Sequence, residues 1–143
     1  MSRLAQVGWW ELDPVNGTIA WSGYNETATK RDIYFWDGAN TTIIELEGND
    51  YEPQIDVDTG FVVWHNIINE IYTLHIWDGF GRTQLTEPSD LIQKSPFLDM
   101  GRFAWSGYDE NGSDIYIGFY SADKDGDGVI NGQDAFPLDP TRF

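Results

Sequence analysis

The chain has no cysteine, which excludes disulfide staples, thiol catalysis and cysteine zinc sites. Basic residues are scarce: 8 Lys and Arg stand against 24 Asp and Glu, for a net charge of −16. That charge opposes phosphate backbones and anionic membrane surfaces, so no nucleic-acid partner is expected. No uncharged run approaches the roughly 20 apolar residues that span a bilayer. Residues 1–20 lack the basic start, apolar stretch and small cleavage site of a signal peptide. Membrane insertion is therefore not expected. No stretch of ten residues reads as helical. A nucleophile-elbow Gly-x-Ser-x-Gly, a Walker loop, a His-Glu-x-x-His and a dinucleotide fingerprint are all missing. His65 and His75 are the only histidines and lack metal-ligand spacing, so packing is their expected role. No enzyme is expected.

What the chain has is aromatic and repetitive. In 143 residues, 15% are aromatic and 41% hydrophobic, too apolar for a disordered chain despite the charge. A period of 41 to 43 residues runs through it. Trp21, Trp64 and Trp105 each follow a short apolar run, and Trp21-Ser22-Gly23-Tyr24 returns letter for letter as Trp105-Ser106-Gly107-Tyr108. Asp32-Ile33-Tyr34 returns as Asp114-Ile115-Tyr116, and the segment ending Trp36-Asp37-Gly38 returns in Trp77-Asp78-Gly79. A third correspondence sets Pro14 before Asn16, Pro53 before Asp56 and Pro96 before Asp99.

Each copy reads as four short antiparallel strands separated by Gly, Asn and Asp turns. The first copy predicts a strand near Pro14, then 18–24, 32–36 and 41–46; the second predicts one near Pro53, then 61–66, 72–77 and 82–85. In the second strand of each copy Trp64 and its equivalents take one face, and Ala20, Val63 or Ala104 the other. Two apolar faces predict a sheet packed between two others. The fold class expected is all-β: three β-propeller-blade-like sheets (copies near 12–50, 51–93 and 94–122) forming a partial propeller. It would be closed by oligomerisation or by further chain, with a separate acidic segment at 123–143. The Pro, turn, aromatic strand and Asp-Ile-Tyr pattern resembles the TolB-like family of propeller repeats over residues 12–120. Gln6 to Leu12 precedes the first proline, where a fourth strand of a preceding blade would sit, and is expected to complete the third blade of another chain.

After Tyr120 the composition changes. Asp123, Asp125 and Asp127 occupy positions 1, 3 and 5 of an EF-hand-type loop, with Gly128 at the sharp turn. The Val129 carbonyl falls at position 7, Asn131 at 9 and Asp134 at 12, an oxygen set suited to Ca2+. No amphipathic helix follows, and 123–140 resembles a thrombospondin type-3 repeat. That resemblance implies calcium ligation by Asp123, Asp125, Asp127, Asn131 and Asp134, with Asp139 as an extra ligand. Asn16, Asn25, Asn40 and Asn111 begin glycosylation sequons, four where chance gives about one, all at expected turns.

Together these features point to a non-enzymatic, calcium-stabilised structural or interaction module, secreted or at the cell surface. Its expected partners are a second copy or another propeller-repeat chain, with a glycan or extracellular protein as further candidates. The first alternative is a carbohydrate-binding module using exposed Trp9, Trp10 or Trp77. The second is a glycoside hydrolase with an Asp/Glu pair.

Overall fold

The structure, a computed structural model, describes residues 7–13, 15–24, 27, 29–99 and 101–120, the first three by their backbone alone. It is all-β and consists of three blade-like antiparallel sheets that do not close on themselves. Sheet 1 is a meander of β1 (Val7–Leu12), β2 (Ile19–Tyr24), β3 (Arg31–Trp36) and β4 (Thr41–Ile44). Sheet 2 repeats it with β5 (Asn49–Ile55), β6 (Val62–Ile68), β7 (Ile71–Trp77) and β8 (Arg82–Gln84). Sheet 3 has β9 (Ile92–Asp99), β10 (Arg102–Asp109) and β11 (Gly112–Phe119).

Aspartates close the hairpins. Between β1 and β2, Asp13 Oδ1 accepts the backbone N–H groups of Val15 and Asn16 at 2.8 and 3.1 Å, and Gly17 completes the turn at φ 70°. Between β5 and β6, Asp56 Oδ1 accepts from Asp58 N at 3.1 Å, and Gly60 sits at φ 73°. These are Asx-turns, in which a short carboxylate substitutes for the backbone acceptor and glycine supplies the left-handed residue. Asp37 and Asp78 cap the outer hairpins in the same way.

The repeat signature is a ring stacked across two strands. Trp21 lies opposite Tyr34, Trp64 opposite His75, and Trp105 opposite Tyr116. Their centroids are 5.4, 5.8 and 5.4 Å apart, with planes inclined by 9°, 24° and 19°. Stacking leans the tyrosine ring over the strand residue two beyond the tryptophan, and this accounts for the glycine of Trp-Ser-Gly-Tyr. A Cβ on Gly23 would meet Tyr34 at 3.3 Å, and one on Gly107 would meet Tyr116 at 2.5 Å. In the second copy the smaller imidazole of His75 leaves room, and Asn66 takes the glycine position.

Sheet 2 lies between the other two. One of its faces packs Ile55, Val62 and Trp64 against Ala20, Ile33, Phe35 and Ile44 of sheet 1. The other packs Phe61, Val63, Leu74 and Ile76 against Leu98 and Phe103 of sheet 3. The expected sandwiched sheet with two apolar faces is thus the middle copy. Burying a side chain of this size contributes about 1.5–3 kcal/mol, so the two seams hold the three units together.

Two expectations need correction. Val7–Leu12 is spent within its own chain, as the first strand of sheet 1, with Glu11 opposite Ala20 and Leu12 opposite Ile19. It is therefore the first strand of its own sheet, bonded through one edge to β2, and not a strand supplied to the third blade of another chain. The proline register also shifts. Pairing sets Glu11, Gln54 and Phe97 against Ala20, Val63 and Ala104, which aligns Asp13, Asp56 and Asp99. Pro53 and Pro96 then match Trp10, while Pro14 falls after its aspartate. Both true repeat prolines sit in β-bulges, where the ladder skips a residue and no N–H is needed.

The stack makes a testable demand. Gly107→Ala should cost about 1–3 kcal/mol, the range for overpacking, and Gly23→Ala less. Adding Tyr116→His to Gly107→Ala, in imitation of the second copy, should recover the part of the loss due to Tyr116, leaving that due to Leu91, whose Cδ2 a Cβ there would meet at 2.8 Å. Urea midpoints of the four chains decide this; an unaffected Gly107→Ala would contradict it.

Candidate functional site

The first strands β1, β5 and β9 run side by side along one rim of the row of sheets. They line an open cleft of about 500 Å³ bordered by Trp10, Glu11, Glu52, Gln54, Ser95 and Phe97. Glu52 and Ser95 take left-handed backbone angles, φ 51° and 50°, directly before Pro53 and Pro96. Non-glycine residues are rare there and the conformation is strained, so the bulge is held by its surroundings. Glu52 supplies part of that hold, since Ser95 N and Oγ donate to its Oε2 at 3.1 and 3.3 Å. Gln54 Nε2 donates to Glu11 Oε2 at 3.4 Å. Trp10 and Phe97 stand at the two ends of the cleft, 65% and 60% exposed. Flat apolar rings beside carboxylates and an amide can stack on a sugar or cover a second apolar surface.

The second feature is the outward face of sheet 3. Ile115 and Ile117 of β11 are 71% and 70% exposed, whereas their register equivalents Ile33, Leu74, Phe35 and Ile76 are 0–7% exposed. Phe119 lies exposed on the same face. The outward face of sheet 1 shows the complementary pattern, with Leu12 47% exposed against 8% for Ile55 and 3% for Leu98. At Leu12, Ile115 and Ile117, positions that are core at the internal seams are surface at the ends of the row, while Trp21, the equivalent of Trp64 on the outward face of sheet 1, stays buried.

Sequence reasoning foresaw uncovered apolar faces on the terminal sheets and an exposed Trp10 but missed the cleft, although both features leave marks. Glu52-Pro53 and Ser95-Pro96 repeat at one offset, and Ile33, Leu74 and Ile115 are apolar at another.

The calcium loop with Asp123, Asp125, Asp127, Val129, Asn131 and Asp134, and Asp139 beyond it, lies outside the described residues, as do Asn25 and the Trp9 side chain. Asn40 and Asn111 are exposed in hairpin turns, open to a glycan. Asn16 is exposed too, but its Nδ2 donates to Asp13 Oδ2 at 2.9 Å and to the Val57 carbonyl at 3.0 Å. It ties the first turn to the equivalent turn of sheet 2, and a glycan on that nitrogen would remove a donor hydrogen. Trp77 is half-buried against Phe35, ring centroids 4.8 Å apart, and so is no exposed platform.

Among the described residues one carboxylate group can approach a cation: Asp56, Asp58 and Asp99, with oxygens within 4.8 Å of one another. Asp56 already accepts from Asp58 N and Thr59 Oγ1, so its oxygens serve the turn.

Both histidines are buried in packing positions. His65 stacks on Tyr51 and Tyr72, with its Nδ1 3.5 Å from Glu52, and burial holds it down to about 4. His75 is likewise held down to about 4 by burial, and its Nε2 lies 3.0 Å from Thr73 Oγ1. Asp50, fully buried between sheets 1 and 2, accepts from Trp64 Nε1 and Asn66 Nδ2 at 2.8 Å each through Oδ1. Burial pushes it up to about 6; those two hydrogen bonds pull it down and the Asp32 charge adds to the rise.

No protein-family model and no curated protein matches the chain.

These groups set opposite pH trends. The two histidines are held below their ordinary 6.5, so the unfolded chain takes up protons first and the fold loses stability as pH falls from 6.5 towards 4. Asp50 is raised above its ordinary 3.8, so its folded form takes up the proton first and gains stability as pH falls through 6. Two histidines outweigh one aspartate, so these three groups together weaken the fold in acid. Asp50→Asn keeps both hydrogen bonds to Oδ1 and removes the buried charge. It should be more stable than the parent at pH 7.5, by up to roughly 3 kcal/mol from two pKa units, with the gain gone near pH 4. A difference independent of pH in chemical denaturation would contradict this.

Proposed function

We propose that this chain is a non-enzymatic, extracellular interaction module that associates through the apolar faces of its terminal sheets, with calcium bound by the loop from Asp123 to Asp134. The observation that carries the reading is the exposure of Ile115 and Ile117 where every equivalent is buried. A face of three large apolar side chains, Ile115, Ile117 and Phe119, is costly to leave in water and marks an association surface. The edge of β11 adds unpaired ladder groups to it, since sheet 3 has three strands among the described residues.

The acidic loop serves the same module. Asp123, Asp125 and Asp127 are three carboxylates in five residues, which repel one another without a cation and offer alternate oxygens to one. Its spacing, together with exposed sequons at Asn40 and Asn111, supports an extracytoplasmic setting, where calcium is abundant.

Light scattering tests the reading. The intact chain should give a mass above 16.3 kDa that rises with concentration, and Ile117→Lys, which puts a charge on the face, should weaken association at least about tenfold. A 16.3 kDa species at every concentration would refute it. In the same preparation calcium should raise the melting temperature, and Asp125→Ala should abolish the rise. A rise undiminished in that variant would place the ion elsewhere.

A further inference from the structure

The three sheets are stacked in one sense, each presenting a leading face to the sheet before it and a trailing face to the sheet after it. The leading face is the one bearing Trp64, Ile55 and Leu98, and the trailing face the one bearing Ala20, Val63, Ile33 and Leu74. By register, the open face of sheet 1 is a leading face with Leu12 at the position of Ile55 and Leu98. The open face of sheet 3 is a trailing face with Ile115 and Ile117 at the positions of Leu74 and Ile76. The two open surfaces are thus the two halves of a seam that the chain forms twice internally.

The rim residues differ between the internal seams and the ends in a telling way. At the internal seams the first strands meet through polar groups, Gln54 with Glu11 and Ser95 with Glu52. Where the row ends, the same rim is aromatic. Phe97 replaces Glu11 and Gln54, both half-buried, and Trp10 replaces Pro53 and Pro96, both fully buried. Internal seams are joined by short connections, 45–48 and 85–91, which keep neighbouring sheets at millimolar effective concentration whatever they touch. A seam between separate chains has no tether, so contact alone must hold it, and exposed aromatic side chains are what such seams use.

We infer that a second copy of this chain docks head to tail, its sheet 1 on this chain's sheet 3, with Trp10 of one chain against Phe97 of the other and Leu12 against Ile115 and Ile117. This rests on the association proposed above and specifies its partner and register. Such a contact is heterologous: two chains satisfy both open faces if the rotation closes, and a filament results if it does not. Each chain carries −16, so the copies repel at long range and the seam forms more readily as salt rises and the Debye length shortens, to about 8 Å at physiological ionic strength.

Complementation between two charged variants tests the register. Trp10→Lys and Phe97→Glu alter exposed side chains, and unchanged circular dichroism verifies the fold of each. Each variant alone should associate at least about tenfold more weakly than the parent, since every seam it can form is spoiled. Mixed in equal amounts they should reassociate, because one seam then pairs an intact Trp10 with an intact Phe97 and the other pairs Lys with Glu. A parent that is monomeric would overturn the association itself. A parent that associates while either variant alone does so undiminished would overturn the register, and variants that weaken association yet fail to recover on mixing would overturn the head-to-tail sense.

Discussion

A β-sheet with two apolar faces is stable only when both are covered, and every sheet of this chain is of that kind. The constraint comes from the alternation of side chains along a strand: Trp64 points one way and Val63 the other, and neither can be given to water. Three such sheets in a row cover four faces and leave two. Each remaining property of the molecule follows from how it manages these six surfaces.

The internal seams are assembled economically. A stacked ring pair fixes the register of the two middle strands in each copy, and the residue facing the second ring adapts: glycine under tyrosine, asparagine under imidazole. Asp13, Asp37 and Asp78 then each set a hairpin turn with two backbone donors, so those loops stay short and the sheets stay close. Asn16, reaching from the first turn to the Val57 carbonyl, extends the seam beyond its apolar middle. Asp50 works against this economy. It holds Trp64 and Asn66 in place yet keeps a carboxylate in the dry seam, so its tethering function costs stability at neutral pH.

The strands were legible because their alternation is strict and their turns carry Asp and Gly. Those expected at 32–36, 72–77 and 82–85 lie within a residue or so of Arg31–Trp36, Ile71–Trp77 and Arg82–Gln84. The placement of Val7–Leu12 was not legible, because the copy was anchored on a proline and Pro14 is no counterpart of Pro53 or Pro96. Aligning Asp13 with Asp56 and Asp99 moves the first strand into its own sheet at once. Trp77 read as an exposed platform because a single sequence does not say which face of an outer strand meets a neighbour; contact with Phe35 decides it. The rim was hidden for a related reason. Trp10, Glu52, Ser95 and Phe97 are unremarkable singly and form a cleft only when three bulged strands are set side by side. The acidic loop remains a reading of spacing alone.

The central claim is that the two open faces are covered in solution by another copy. Small-angle X-ray scattering over a concentration series at physiological salt addresses it most directly, since forward scattering reports mass and the radius of gyration reports how units are joined. The expected result is at least two chains, with a radius of about 19 Å for a compact pair by the size scaling of folded domains. A single chain of about 15 Å at every concentration would mean that water covers both faces, and would contradict the claim.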